Sequence, residues 1–150
     1  MKRILARALL GLALLFLLIQ AVPYGWSRAN PPVRQEPAWN SPETRALARR
    51  ACFDCHSNET RWPWYARIAP ASWLAVWDVK KGRRELNFSE FDRRQKEAHE
   101  SAKEVRKGKM PPWYYAAFQP QARLSDEETQ RLVAGLEATL GTSRPKRRRD

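Results

Sequence analysis

The chain has 150 residues, enough for one domain of ordinary size. Its 28 Lys and Arg against 16 Asp and Glu give a formal net charge of +12. Much of that excess lies at the ends, because residues 1–22 hold three basic and no acidic residues and residues 142–150 hold five basic residues and one Asp. The middle is only mildly basic and argues against a nucleic-acid-binding protein, while two Cys exclude a multi-disulfide scaffold.

The N-terminal segment predicts a membrane span. Basic residues precede an apolar run over residues 8–22, and no Ala-x-Ala cleavage site follows it. Tyr24 and Trp26 come next, where an interfacial aromatic belt would lie. We therefore interpret residues 1–22 as an uncleaved signal anchor rather than a cleaved signal peptide. This predicts a single-pass protein of a bacterial inner membrane, with the rest of the chain in the periplasm.

The exported part divides into three segments. Residues 23–41 are Pro-rich and aperiodic and predict an extended tether. Residues 42–141 show helical patterning without alternating strand patterns, so we predict an all-α domain of about four short helices. Residues 142–150 form a basic tail. The first predicted helix begins at Ser41-Pro42, and the second begins at Pro70 and stops at Gly82. The third begins at Ser89 and ends at Gly108. The fourth begins at Ser125, with Glu128 completing a capping box.

The segment Cys52-Phe53-Asp54-Cys55-His56 is a CxxCH motif, the attachment sequence of c-type haem. Two thiols three residues apart on a helical turn can each add to one haem vinyl group. The His that follows the second Cys is then placed under the iron as its proximal ligand. The motif predicts one covalent haem c bound by Cys52, Cys55 and His56, and export agrees with it because bacteria attach this haem outside the cytoplasm.

Three other interpretations of the motif compete. A thiol–disulfide CxxC usually starts a helix after a strand, and no strand is predicted before Cys52. A zinc site needs a fourth ligand, for which His99 is the main candidate, and the adjacent Cys55 and His56 rarely bind one metal. The third alternative is a structural disulfide between Cys52 and Cys55.

The sixth iron ligand is predicted to be Met110. Apart from the first residue it is the only Met, and it lies in Gly-Lys-Met-Pro-Pro, where flanking prolines would fix the loop that presents its sulfur. The alternative is that Met110 fills a gap in the core. His99 is the rival ligand, but charged neighbours on both sides favour a solvated surface His.

Two longer stretches resemble the bacterial haem-binding domain proteins, which are small membrane-anchored chains with one CxxCH. They are CFDCHSNETRWPWYARIAPASWLAVWDVKKGRRELNFSEF and GKMPPWYYAAFQPQARLSDEE, and the apolar N-terminus followed by NPPV also matches. The resemblance implies a c-type haem on a small cytochrome c-like helical domain, with Cys52, Cys55 and His56 binding haem and Met110 as distal ligand. Here Pro-Pro-Trp-Tyr-Tyr follows the Met, where the family leads us to expect smaller aliphatic residues.

Three functions are compatible with such a site. Single-electron transfer by a membrane-tethered cytochrome suits a six-coordinate iron, and we favour it. A haem-based sensor or binding module, in which the distal ligand is displaced, is the alternative. An enzyme such as a peroxidase needs an open iron face and a distal acid–base group, for which no second His is placed, so we expect no enzyme. The expected partners are the membrane and redox proteins that the sequence does not identify, with no nucleic acid.

Overall fold

The computed structural model of the protein describes residues 1–143, so most of the basic tail lies outside the described residues. The chain forms two compact units. The first comprises Met1–Ala29 and Arg61–Asp78, and the second comprises Asn30–Thr60 and the chain from Val79 onward. The described residues are helical with no strand, which confirms the all-α prediction. One isolated parallel bridge joins Gln35 to Glu90.

The first unit contains the apolar N-terminal helix. Helix α1 spans Lys2–Gln20, has a mean hydropathy of 1.9 over an 18-residue window, and buries none of that window. By length and composition it can cross a membrane, as predicted. A 3-10 turn at Trp64–Arg67 then leads to the start of helix α4, which spans Ala71–Glu85.

The second unit is built from short helices around one core. Helix α2 spans Pro42–Ala51, with the Ser41 hydroxyl accepting the Thr44 N–H at 3.1 Å as its N-cap. The other helices are α3 (Phe53–His56), α5 (Ser101–Arg106), α6 (Trp113–Phe118) and α7 (Asp126–Leu140). The predicted capping box of Ser125 and Glu128 starts α7.

Helices α2, α5 and α7 enclose the core of the second unit, into which the CxxCH segment inserts Phe53. The Phe53 ring is 2% exposed and stacks on Phe88 at a centroid distance of 5.4 Å. The CxxCH turn is therefore anchored by one of its own intervening side chains. The residues of this core cluster that are at most 1% exposed are Ala48, Phe88, Leu132 and Leu136.

Two predictions of helix ends were wrong. Helix α4 spans Ala71–Glu85 and passes through Gly82 without stopping. No helix starts at Ser89, because its buried hydroxyl accepts the Asn58 N–H at 2.9 Å instead of capping a first turn. Helix α6 starts directly after the Pro111-Pro112 pair, with Pro112 as its N-cap, since a helix does not need the proline N–H at that position.

The Pro-rich segment contains no helix, and its residues from Asn30 onward belong to the second unit. The N–H groups of Arg34 and Gln35 donate to the Ser89 carbonyl, and Phe91 N–H donates to the Gln35 carbonyl at 2.9 Å. The Asn58 side chain donates to the Pro32 carbonyl at 2.9 Å. Residues 30–37 therefore line the outside of the domain instead of hanging free.

Candidate functional site

The CxxCH motif folds into a single helical turn. Cys52 ends α2 and begins α3, and its carbonyl accepts the N–H groups of Cys55 at 3.1 Å and His56 at 2.9 Å. Both cysteines are free thiols with partly buried side chains. The structure thus brings Cys52, Cys55 and His56 together on one turn, which is the arrangement that the motif predicts.

The His56 ring is oriented by the chain that follows α4. Its Nδ1 lies 3.0 Å from the Leu86 carbonyl, which can only accept, so Nδ1 carries the proton and Nε2 keeps its lone pair. Burial lowers the pKa of His56, and this outweighs the opposing effects of the Leu86 and Gly82 carbonyls and the Glu85 carboxylate. The imidazole is therefore neutral at pH 7 and has the tautomer of a metal ligand through Nε2.

A glycine brings the backbone of α4 against this turn. A Cβ built on Gly82 would lie 2.4 Å from the Cys55 carbonyl oxygen, closer than real Cβ contacts. The same approach lets the Phe88 N–H donate to the His56 carbonyl at 2.7 Å. Gly82 is therefore needed for the close contact between α4 and the CxxCH turn, and it is not a helix stop. This contact helps to fix the position of His56.

Burial also changes the chemistry of the first cysteine. Although part of its surface is accessible, desolvation raises the pKa of the Cys52 thiol to about 12. In the folded chain Cys52 is therefore a thiol and not a thiolate at neutral pH. Cys52 thus lacks the lowered thiol pKa that thiol–disulfide exchange uses.

The polar residues after His56 form a buried hydrogen-bond network that sequence reasoning did not assign. Thr60 donates to the Asp54 carbonyl at 2.8 Å, and Asn87 donates to the Asn58 side-chain oxygen at 2.9 Å. Arg83 donates to the Ser57 carbonyl at 2.8 Å. The run Ser-Asn-x-Thr directly after CxxCH was the available indication of this network, which holds the end of the turn in place.

The predicted distal ligand lies on the loop between α5 and α6. The Met110 backbone N–H donates to the Glu104 carbonyl at 3.2 Å, which ties the loop to α5, and the side chain is 37% exposed. Helix α6 returns to the motif, since the Tyr115 hydroxyl donates to Asp54 Oδ2 at 2.6 Å. The Met110 segment and the CxxCH turn are therefore joined through α6.

His99 is not the solvated surface residue that its charged neighbours suggested. Its side chain is only 9% exposed, and within residues 1–143 the buried Nδ1 has no hydrogen-bond partner. Nε2 is 3.7 Å from a Glu100 oxygen, beyond hydrogen-bond range. Those residues also contain no group of three or more His, Cys, Asp or Glu side chains arranged for a metal ion, so the zinc alternative finds no ligand set in them.

The family model of the haem-binding domain matches residues 14–138. The chain therefore belongs to the haem-binding domain family, which supports haem as the group that it binds. The matched range includes the CxxCH turn, Met110 and the helices that hold them. Comparison with curated proteins and with solved structures gives no match.

Proposed function

We propose that the protein is a membrane-anchored, monohaem c-type cytochrome that transfers single electrons outside the cytoplasm of a bacterium. The observation that carries this proposal is the orientation of His56, which shares one helical turn with Cys52 and Cys55. Its Nδ1 is hydrogen-bonded to the Leu86 carbonyl, which leaves Nε2 to bind iron. The family supports haem, and the geometry of the turn supports its covalent attachment.

The side chains of Cys52, Cys55 and His56 have the chemistry that a covalently bound haem requires. The Cys52 and Cys55 thiols would each add their S–H across one vinyl group, forming two thioethers without an external oxidant. His56 Nε2 would bind the iron from one side, and the bond from Nδ1 to the Leu86 carbonyl increases the basicity of that ligand. When bound, the haem would supply an iron that accepts and releases one electron.

The second unit also exposes apolar side chains along the segment that carries the predicted distal ligand. Met110 is 37%, Phe118 70% and Trp113 80% exposed. A flat apolar macrocycle would cover part of such a surface, and the Met110 thioether would favour the reduced iron. We assign Met110 as the distal ligand on this basis, and we propose no enzymatic turnover, since a six-coordinate iron has no open face for a substrate.

Covalent attachment is tested by expressing the full chain together with a c-type haem maturation system. The denatured protein should keep haem-dependent peroxidase staining at the mass of the 17.5 kDa chain. The spectrum in alkaline pyridine should indicate two saturated vinyl groups, and the Cys52→Ala and Cys55→Ala variants should each indicate one. Complete loss of haem to acid–acetone from the native sequence would show that attachment is not covalent.

A haem-based sensor is the second candidate, and the exposure of Met110 favours it, because a solvent-accessible distal ligand on a loop can be displaced. Carbon monoxide binding to the reduced protein separates the two functions. Electron transfer predicts slow binding limited by Met110 dissociation, whereas rapid binding in the native sequence would support the sensor.

A further inference from the structure

The end of α1 is hydrogen-bonded to the chain just before α4. The Gln20 side-chain amide donates to the Ala69 carbonyl at 3.1 Å, and its oxygen accepts the Ala69 N–H at 2.9 Å. The same amide donates to the Phe16 carbonyl of α1 at 2.9 Å, which holds the side chain against its own helix. This reciprocal pair fixes one backbone segment of the first unit to the last turn of the apolar helix.

Two further contacts strengthen this attachment. Arg28 donates to the Gly25 carbonyl at 2.7 Å and to the Ala66 carbonyl at 3.3 Å. Gly25 has φ of 90°, and a Cβ built on it would lie 3.1 Å from the Ser72 carbonyl oxygen. Residues 20–28 therefore follow residues 66–72 closely instead of leaving the helix as a free linker.

The length of α1 sets the depth of this segment in a membrane. Its 19 residues rise about 28 Å, close to the hydrocarbon thickness of about 30 Å. If Lys2 lies at one boundary, Gln20 lies at the other, where polar side chains meet the headgroups. The two bonds to Ala69 then hold residues 66–72 at the same depth.

The first unit exposes large apolar side chains close to this segment in sequence. We define its interfacial surface as Trp26, Trp64, Ile68, Leu74 and Trp77, with exposed fractions of 59%, 73%, 39%, 48% and 47%. Leu74 and Trp77 are three residues apart and share one face of α4. Large apolar side chains that are exposed in this way mark a binding surface, and Trp is enriched where proteins meet the headgroup region.

The charge of this unit beyond α1 fits the same partner. Residues 23–29 and 61–78 contain Arg28, Arg61, Arg67 and a single acidic residue, Asp78. Of the arginines, Arg67 is exposed in the 3-10 turn that also carries Trp64. Exposed apolar rings next to an arginine excess are suited to a bilayer surface that contains anionic headgroups.

We propose that the interfacial surface rests in the headgroup region of the bilayer, held there by the bonds between Gln20 and Ala69. The proposal relies on the membrane anchor of the proposed function. The first unit would then contact lipid in two ways, through α1 in the bilayer and through the interfacial surface at the headgroups.

The test places a photoreactive side chain on this surface in the full chain. A Trp64→p-benzoylphenylalanine variant is irradiated in membranes containing phosphatidylglycerol and phosphatidylethanolamine, and adducts are identified by mass spectrometry. Adducts to the glycerol or upper acyl region of lipids are expected. Adding Gln20→Leu, which keeps the span apolar but removes both bonds to Ala69, should lower the adduct yield about fivefold.

A carbonate wash of the same membranes separates failure of the surface from failure of the anchor. Protein that remains in the pellet without lipid adducts at position 64, or with adducts to another protein, overturns the interfacial surface and leaves the anchor standing. A yield unchanged by Gln20→Leu overturns the role of Gln20 in placing the surface. Protein released by the wash overturns the anchor and the inference with it.

Discussion

Tyr115 and Asp54 are hydrogen-bonded at 2.6 Å, which joins the helix after Met110 to the middle of the CxxCH motif. Asp54 is only 7% exposed, so its carboxylate depends on protein donors instead of water. Because α6 begins two residues after the Met110-Pro111 pair, this bond limits how far the Met110 loop can move away from the turn that carries His56.

Replacing Tyr115 with Phe should therefore destabilise the protein and loosen the distal ligand. Removing one donor from a buried carboxylate lowers the free energy of unfolding by about 1–3 kcal/mol, measured by urea titration of the full chain in detergent. The variant should also bind carbon monoxide faster in its reduced haem form. Val33→Ala, at a side chain that is 46% exposed and away from the proposed haem surface, is the control and should have little effect on either measurement.

A double-mutant cycle tests whether the bond itself is responsible. If Tyr115 acts through Asp54, the effect of Tyr115→Phe should be smaller in an Asp54→Asn background than in the native sequence. Additive effects on the free energy of unfolding would show that the hydroxyl of Tyr115 stabilises the protein through other contacts.

Replacing Met110 with Ala should leave haem attachment intact and change the iron ligation. The proposed attachment depends on Cys52, Cys55 and His56, whereas loss of the Met110 thioether should lower the reduction potential and open the iron to carbon monoxide. The measurements are redox titration and the weak far-red absorption band of Met-ligated oxidised haem. His99→Leu is the control and should keep both the band and the potential. Loss of the low-spin spectrum in His99→Leu, but not in Met110→Ala, would assign the distal ligand to His99.

Acid should destabilise the fold partly through Glu36. Its pKa lies below the ordinary 4.5, mainly because the Arg45 side chain donates to it at 2.6 and 2.7 Å, with desolvation opposing and Trp39 adding a further donor. Since the folded-state pKa is the lower one, the stabilisation is complete above about pH 4.5 and is lost as pH falls through the folded-state value.

Urea midpoints measured between neutral and acid pH check this. Glu36→Gln should be less stable than the native sequence at pH 7 and should lose less stability on acidification, and Arg45→Ala should behave in the same way. In both variants the dependence of stability on pH should be reduced but not abolished, because hydrogen bonds and basic neighbours also lower the pKa values of Glu90 and Glu128. An unchanged slope in Glu36→Gln would assign the acid sensitivity to other groups.

Gly82→Ala separates helix propensity from packing. Ala is favoured over Gly in a helix interior by about 1 kcal/mol, so α4 taken alone should gain stability. The clash with the Cys55 carbonyl instead predicts destabilisation by about 3 kcal/mol and poor haem incorporation. Gly11→Ala, at a position with nothing within 4 Å, is the matched control. A stabilised Gly82→Ala protein would show that α4 does not approach the turn this closely.

The features that the sequence predicts well are those fixed by neighbouring residues. Ser41 and Ser125 cap their helices through bonds to residues three positions ahead, so their local spacing was sufficient. The single turn of CxxCH is equally local. The apolar run of α1 was recognisable from composition alone.

The errors arose where a distant partner decides the role of a residue. Gly82 was interpreted as a stop because nothing nearby in sequence indicates that Cys55 packs against it. Ser89 was interpreted as the N-cap of a helix, but its hydroxyl accepts the Asn58 N–H instead. His99 has charged neighbours, yet its side chain turns inward. In each case tertiary contacts outweigh the local pattern, and a single sequence does not show those contacts.

The raised pKa of Cys52 has a consequence for the order of events during maturation. Because desolvation raises the pKa of the Cys52 thiol to about 12, this thiol is protonated at pH 7, and the finished fold does not activate it for addition to a haem vinyl group. In an unfolded chain the same thiol has an ordinary pKa and is open to a haem vinyl group. For the covalent attachment that we propose, thioether formation should therefore precede the docking of α2 and α3, and the chain would complete its fold around a haem that it already carries.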